Sequence, residues 1–225
     1  MKGRKNVALR ESFDRELVRL REDVSFMGAE VRHAIARAIA ALEHRDVERA
    51  RSIIAEDEAI NEHRFRIEAA CHGLMATQQP AARDLRTLIA ALMIIVDLER
   101  MADHAKGIAK TVILTAQEPS FPPAPDLRYI ADRVRQMLDQ GLQAFATGDV
   151  ALARRVCDAD DEIDHLYKQL FNVLLSYMLE DPRTITRCTY LLWIAHNLER
   201  IGDLATNIAE RVIYCETGHL QDTNF

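Results

Sequence analysis

Four acidic residues stand where a heptad count calls for apolar side chains. The stripe Ala50, Ile53, x, Ile60 carries Asp57 at its missing step, and Ala153, Val156, x, Ile163 carries Asp160. Two further stripes do the same: Leu92, Ile95, x, Ala102 holds Glu99, and Leu192, Ala195, x, Gly202 holds Glu199. A carboxylate drawn toward a helix–helix seam loses hydration unless a cation or a hydrogen-bond donor meets it, and converging carboxylates also repel. One turn on from each sits another oxygen donor: Asn61, Asp164, Asp103 and Asp203 respectively. Residues at i and i+4 share a helix face, so each helix offers two oxygen ligands side by side. Two such helices suit hard divalent or ferric cations, and several carboxylates call for more than one ion. Spacing alone leaves two other readings open. Arg100 and Arg200 directly follow the glutamates and Arg83 matches Arg183, so guanidinium groups can bridge the acids; alternatively the face is a solvated groove.

The elements that must position these residues are helices. From Phe13 the apolar residues Leu17, Leu20, Val24, Met27, Val31, Ala34, Ala38 and Leu42 step by fours and threes, the period of a helix packed along a bundle seam. Asp46 is expected to cap a second helix over 47–75, with Ala50, Ile53, Ile60, Ile67, Cys71 and Leu74 on its stripe. A third runs over 81–116 with Leu85, Leu88, Leu92, Ile95, Ala102, Ala109 and Ile113 inward. Prolines 119, 122, 123 and 125 mark a linker, after which the pattern restarts. Asp126 is expected to cap a fourth helix bearing Leu127, Ile130, Val134, Met137, Leu138 and Phe145; Gly148-Asp149 opens a fifth and Asp181-Pro182 a sixth. No segment alternates with period two, which argues against strands.

The second half repeats the first. Asp46, Asp57 and Ile60 map onto Asp149, Asp160 and Ile163 at one offset. Leu92, Ile94, Leu98, Glu99, Arg100, Asp103, Ala105, Ile108 and Ala109 map onto Leu192, Ile194, Leu198, Glu199, Arg200, Asp203, Ala205, Ile208 and Ala209 at an offset three shorter. The expected fold is therefore all-α, a tandem repeat of two three-helix bundles built from six long helices. Its segments are a flexible N-terminus (1–11), the first bundle (12–117), the proline-rich linker (118–125), the second bundle (126–217) and a flexible C-terminus (218–225).

Composition narrows the function. At 225 residues and 48% hydrophobic, the chain can bury a sizeable core. A net charge of -6 without a dense basic stripe argues against nucleic acid and against an anionic membrane surface. No signal peptide is visible, and the longest apolar run, 88–96, is too short to cross a bilayer. Cys71, Cys157, Cys188 and Cys215 are scattered without a Cys-x-x-Cys pair and read as reduced thiols of a cytoplasmic protein. No glycine-rich phosphate loop, Gly-x-Ser-x-Gly or His-Glu-x-x-His is present. Glu-x-x-His occurs at Glu30–His33 and Glu162–His165, which raises a di-iron carboxylate bundle, but the two copies fall in non-equivalent helices. His104 and His196 flank the acidic faces and read as packing or capping residues; Trp193, Tyr167, Tyr177 and Tyr190 read as core or interface aromatics.

With the doubled Asp/Glu-x-x-x-Asp pattern, Asp57/Asn61 with Glu99/Asp103 and Asp160/Asp164 with Glu199/Asp203, the sequence resembles the PhoU family of phosphate-transport accessory and regulatory proteins over residues 13–217. The resemblance implies two three-helix bundles side by side, and all eight of these residues as ligands of multinuclear metal, iron or zinc. It implies a homodimer and a cytoplasmic, non-enzymatic adaptor. Its partners would be the ATPase of a phosphate ABC transporter (PstB-like) and a phosphate-sensing histidine kinase (PhoR-like), and its effect would be to keep the phosphate-starvation response off. Asn61 departs from the pattern and lowers the charge of the first site, so weaker metal binding is expected there. The competing reading from another class is a carboxylate-bridged metal-dependent enzyme, an oxidase or hydrolase, on the same bundle.

Overall fold

Long runs free of proline, with apolar residues recurring every three or four positions, leave the backbone one cooperative solution, and nearly all of the described residues take it. The computed structural model describes the backbone of residues 2–78, 80–119 and 125–219, and the side chains of 10–78, 80–119 and 126–219. The elements are α1 (Lys2–His44), α2 (Val47–Gln78), α3 (Ala82–Thr115), α4 (Pro125–Thr147), α5 (Val150–Asp158), α6 (Asp160–Glu180) and α7 (Ile185–Thr217), with a 3₁₀ turn at Pro182–Thr184 before α7. Among the described residues there is no strand. The fold is thus all-α and doubled: α1–α3 form one three-helix unit, and α4, the α5–α6 pair and α7 form the other. Residues 120–124 of the proline-rich linker and 220–225 of the C-terminal segment lie outside the described residues.

The caps fall where the acids predict. Asp46 accepts from the Arg49 amide at 2.9 Å, Asp149 from Leu152 N at 2.9 Å, and Asp181 from Arg183 N at 3.0 Å. Asp126 differs: it lies in the first turn of α4, which opens with Pro125, because proline at the first helical position forfeits no intrahelical bond. The turns preceding the Asp46 and Asp149 caps both need a left-handed residue. Gly148 supplies φ 72° in the second repeat, and Arg45 adopts φ 53° in the first. The Arg45 guanidinium meanwhile donates to the Thr115, Ala116 and Glu118 carbonyls at the C-terminus of α3, where positive charge is favoured.

Packing unites the two repeats. α3 and α7 lie against each other at the centre, and α1 lies against α4. Both central helices therefore bury more than one stripe: α3 hides Leu88, Ala91, Ile94, Ile95, Leu98, Met101, Ala105 and Ile108, and α7 hides Ile194, Ala195, Leu198, Ile201, Ala205 and Ile208. At the α1–α4 contact a Cβ on Gly28 would stand 2.1 Å from Leu142 Cδ1, so the helices approach over a missing side chain. Leu85, expected inward, is exposed: at the first turn of α3 the neighbouring helices contribute Arg10 to Asp84 and Glu216 to Arg83, polar contacts rather than apolar cover for Leu85. Trp193 is also half out of the core, its ring tilted against that of Tyr190 with centroids 5.5 Å apart. Among the described residues no helix is long and apolar enough to cross a membrane.

Candidate metal centre

The fifth predicted helix arrives as two segments, and the interruption falls at the acids. α5 ends at Asp158, Ala159 keeps right-handed helical angles, and α6 opens with Asp160, Asp161 and Glu162 in its first turn. Acids crowd a helix N-terminus because unpaired amides and the macrodipole there favour negative charge. Asp160 and Asp164 thus project from the first turns of α6 toward α7, which carries Glu199 and Asp203. Gly202, between those two, lets the helices close: a Cβ there would sit 3.3 Å from Ile163 Cγ2 and 3.7 Å from Asp160 Oδ1.

On that seam Asp164, Glu199 and Asp203 each bring an oxygen to within 4.8 Å of the others, all three half-buried. Their compensation is partial. Arg200 reaches Asp203 at 2.5 Å and Lys168 reaches Asp164 at 3.0 Å, both from exposed positions. Glu199 Oε2 is buried without a hydrogen-bond donor, although His196 Nδ1 stands 3.3 Å away. The protonation balance reflects this. Burial, then the Asp203 charge, pushes Asp160 up to about 6, with a hydrogen bond from Thr206 opposing. Burial also raises Glu199 and Asp203; the Glu199 charge adds to the burden on Asp203, and the Asp164 and Asp160 charges add to that on Glu199. Four oxygen-bearing side chains, one with an orphaned buried atom, form a donor set that fits a hard cation. Asp164, Glu199 and Asp203 would hold it, with Asp160 beside them.

The first repeat builds the same seam differently. Asp57 is buried within α2, which runs unbroken through the equivalent position, so no helix N-terminus assists it. Lys106, one turn after Asp103 on α3, donates to Asp57 Oδ2 at 2.5 Å and lies 3.7 Å from Asp103 Oδ1. Asn61 and Glu99 are half-buried and Asp103 is exposed. The structure therefore brings the second four predicted residues to one seam, while in the first repeat Asp57 and Asp103 face an ammonium. Arginine does not bridge the first site; lysine does. Sequence reasoning passed over Lys106 and its counterpart Thr206, although the third-helix offset pairs them at once.

The remaining candidates have their own partners. Glu30 meets the buried His63 Nδ1 at 2.9 Å, and Glu162 takes Arg133 Nε at 3.1 Å and the Tyr129 hydroxyl at 2.8 Å. Neither Glu-x-x-His pair shares an ion site with the other. His104 Nδ1 contacts Asn197 Oδ1 at 2.9 Å, joining α3 to α7. Asp97, at the position matching Asn197, is buried and pushed up to about 6 by that burial, with Arg100 and Arg211 opposing.

A doubled three-helix unit joined through its two central helices, with oxygen-only acidic seams at equivalent places, defines a class of tandem-repeat all-α proteins. The PhoU domain model matches residues 24–112 and 127–212, and the chain belongs to that family. It is 41% identical over 209 residues to the phosphate-specific transport system accessory protein PhoU homolog of Caulobacter vibrioides, covering 92% of this chain and 91% of the relative. The homolog of the same name from Zymomonas mobilis is 40% identical over 208 residues, covering 92% and 88%. The crystal structure of PhoU from Pseudomonas aeruginosa superposes with a TM-score of 0.87 at 37% identity, covering 92% of this chain and all of that one. The phosphate transport system regulatory protein PhoU from Streptococcus pneumoniae gives 0.87 at 35%, covering 93% and 99%.

Proposed function

We propose that this chain is a cytoplasmic, non-enzymatic regulator of phosphate uptake. It acts as a metal-binding adaptor between the ATPase of a phosphate ABC transporter and a phosphate-sensing histidine kinase, and it restrains the starvation response. The names of its relatives, accessory and regulatory proteins of phosphate transport, support the process. The acidic seam supports the metal, and the observation that carries it is Glu199 Oε2, buried and unsatisfied among carboxylates. A divalent or ferric ion, iron or zinc by family likeness, would neutralise that charge and fix the spacing of α6 and α7, and with it the surface those helices present. The family likeness also supports a homodimer.

Asp57, Asn61, Glu99 and Asp103 belong to the family's ligand pattern, but the lysine among them limits the proposal for iron or zinc to Asp160, Asp164, Glu199 and Asp203. The competing oxidase or hydrolase reading gains no support from Glu30 or Glu162, whose partners are His63, Arg133 and Tyr129. The test is elemental analysis of chelator-free protein beside a Glu199→Ala/Asp203→Ala variant, followed by capture of the transporter ATPase and the kinase by each. Loss of metal and weaker capture in the variant are expected. Unchanged metal content would refute the assignment, and redox or phosphatase turnover by metal-loaded protein would favour the enzyme.

A further inference from the structure

The two acidic seams match by sequence offset but not by charge, and the difference lies in one pair of equivalent residues. Lys106 occupies in α3 the place of Thr206 in α7. The lysine ammonium donates to Asp57 at 2.5 Å, with its side chain only 27% exposed and that of Asp57 8%. Thr206 instead returns its hydroxyl toward its own helix, 3.3 Å from the Gly202 carbonyl, and also hydrogen-bonds Asp160. One chain thus offers one seam with a partly buried ammonium on its buried carboxylate and one whose cations, Arg200 and Lys168, reach in from exposed positions.

We infer that Lys106 closes the first repeat to metal, so that any ion this chain takes at its acidic seams goes to the second repeat. A hard ion binds carboxylate oxygen at roughly 2.0–2.6 Å. At Asp57 Oδ2 that place is filled by Nζ, and an arriving cation would meet a like charge within a few ångströms. Lys106 Nζ lies 2.5 Å from Asp57 Oδ2 and 3.7 Å from Asp103 Oδ1, and a lysine ammonium is charged at neutral pH. Asn61 completes the exclusion: where the second repeat has Asp164, the first has a neutral amide. Among the described residues, the acids that converge within 4.8 Å are those of α6 and α7 alone. The family's paired ligand pattern is therefore present in both repeats, but its donor set fits an ion in one.

The inference concerns the first repeat and stands whether or not the second repeat loads as proposed. Zinc titration of the Glu199→Ala/Asp203→Ala chain isolates the first seam with Lys106 intact, and no zinc that depends on Asp57 is expected there. Adding Lys106→Thr and Asn61→Asp, which copy the second repeat, should create a site for about one zinc per chain. Asp57→Asn should then abolish it. Circular dichroism and a thermal melt confirm that each variant is folded.

Zinc bound by the Lys106-containing chain and lost on Asp57→Asn overturns the inference. So does a folded Lys106→Thr/Asn61→Asp variant that gains none. If that variant fails to fold, the Lys106-containing comparison decides alone. A wild-type chain that takes no zinc at all removes the second-repeat reading, while the gain in the variant still tests this one.

Discussion

Glu199→Gln should make the chelated protein more stable, the reverse of what most substitutions do. Glu199 shares with Asp164 and Asp203 a cluster whose oxygens lie within 4.8 Å of one another. Two unit charges at that separation repel by about 2–3.5 kcal/mol for an effective dielectric of roughly 20–40. The side chains of Glu199 and Asp203 are 19% and 24% exposed, and Arg200 and His196 oppose part of the repulsion, so about 1–2 kcal/mol is expected to return. Glutamine keeps the shape, and its amide can donate to the carboxylates that now only repel. For a chain of this size the gain is roughly 2–8 °C in Tm. The assay is a thermal melt in chelator and again in excess zinc. In chelator the variant melts above the parent; in zinc the parent rises and the variant rises less, because binding to the folded state stabilises in proportion to affinity. A variant that melts at or below the parent in chelator would show that Glu199 is satisfied without an ion, and the reasoning fails.

Chelated protein should also gain stability as pH falls from 7 to 5. Asp160 and Asp97 both titrate near 6 when folded, above an unfolded value near 4, so their burial cost is full above 6 and is relieved as each takes a proton. Zinc-loaded protein should show the opposite trend, as protons displace the ion; urea midpoints across that range give both signs. Gly148→Ala should cost about 1–2 kcal/mol, because φ 72° strains an L-residue and the new Cβ meets Glu216 Oε1 at 3.0 Å. Arg45→Gly relieves comparable strain but loses the guanidinium bonds to α3, so it should be no more stable than the parent; urea unfolding measures both.

Much of this molecule is written locally. The seams at Leu20, Val24 and Met27, the caps at Asp46 and Asp149, and the repeat itself follow from period and spacing, because a helix face depends only on its own residues. What escaped depends on what lies across the gap. Lys106 looks like one more solvated charge until α2 brings Asp57 beneath its stem. Leu85 continues an apolar stripe that is buried further along the helix but not at its own position. The interruption at Ala159 had a local signal, three successive acids at Asp160, Asp161 and Glu162, which mark a helix start when read for the first turn rather than for the seam. Residues 120–124 of the proline-rich segment and 220–225 at the C-terminal end lie outside the described residues.

The breadth of the buried faces on α3 and α7 has a consequence for anyone who would divide the chain at its prolines. Each half would carry a central helix stripped of cover on the face where α3 meets α7, the face on which His104 touches Asn197. Neither fragment is a finished object. Expressed alone, each would seek a substitute for its missing twin, in a second copy of itself or in an aggregate. The duplication is therefore one of pattern, while autonomy belongs to the pair.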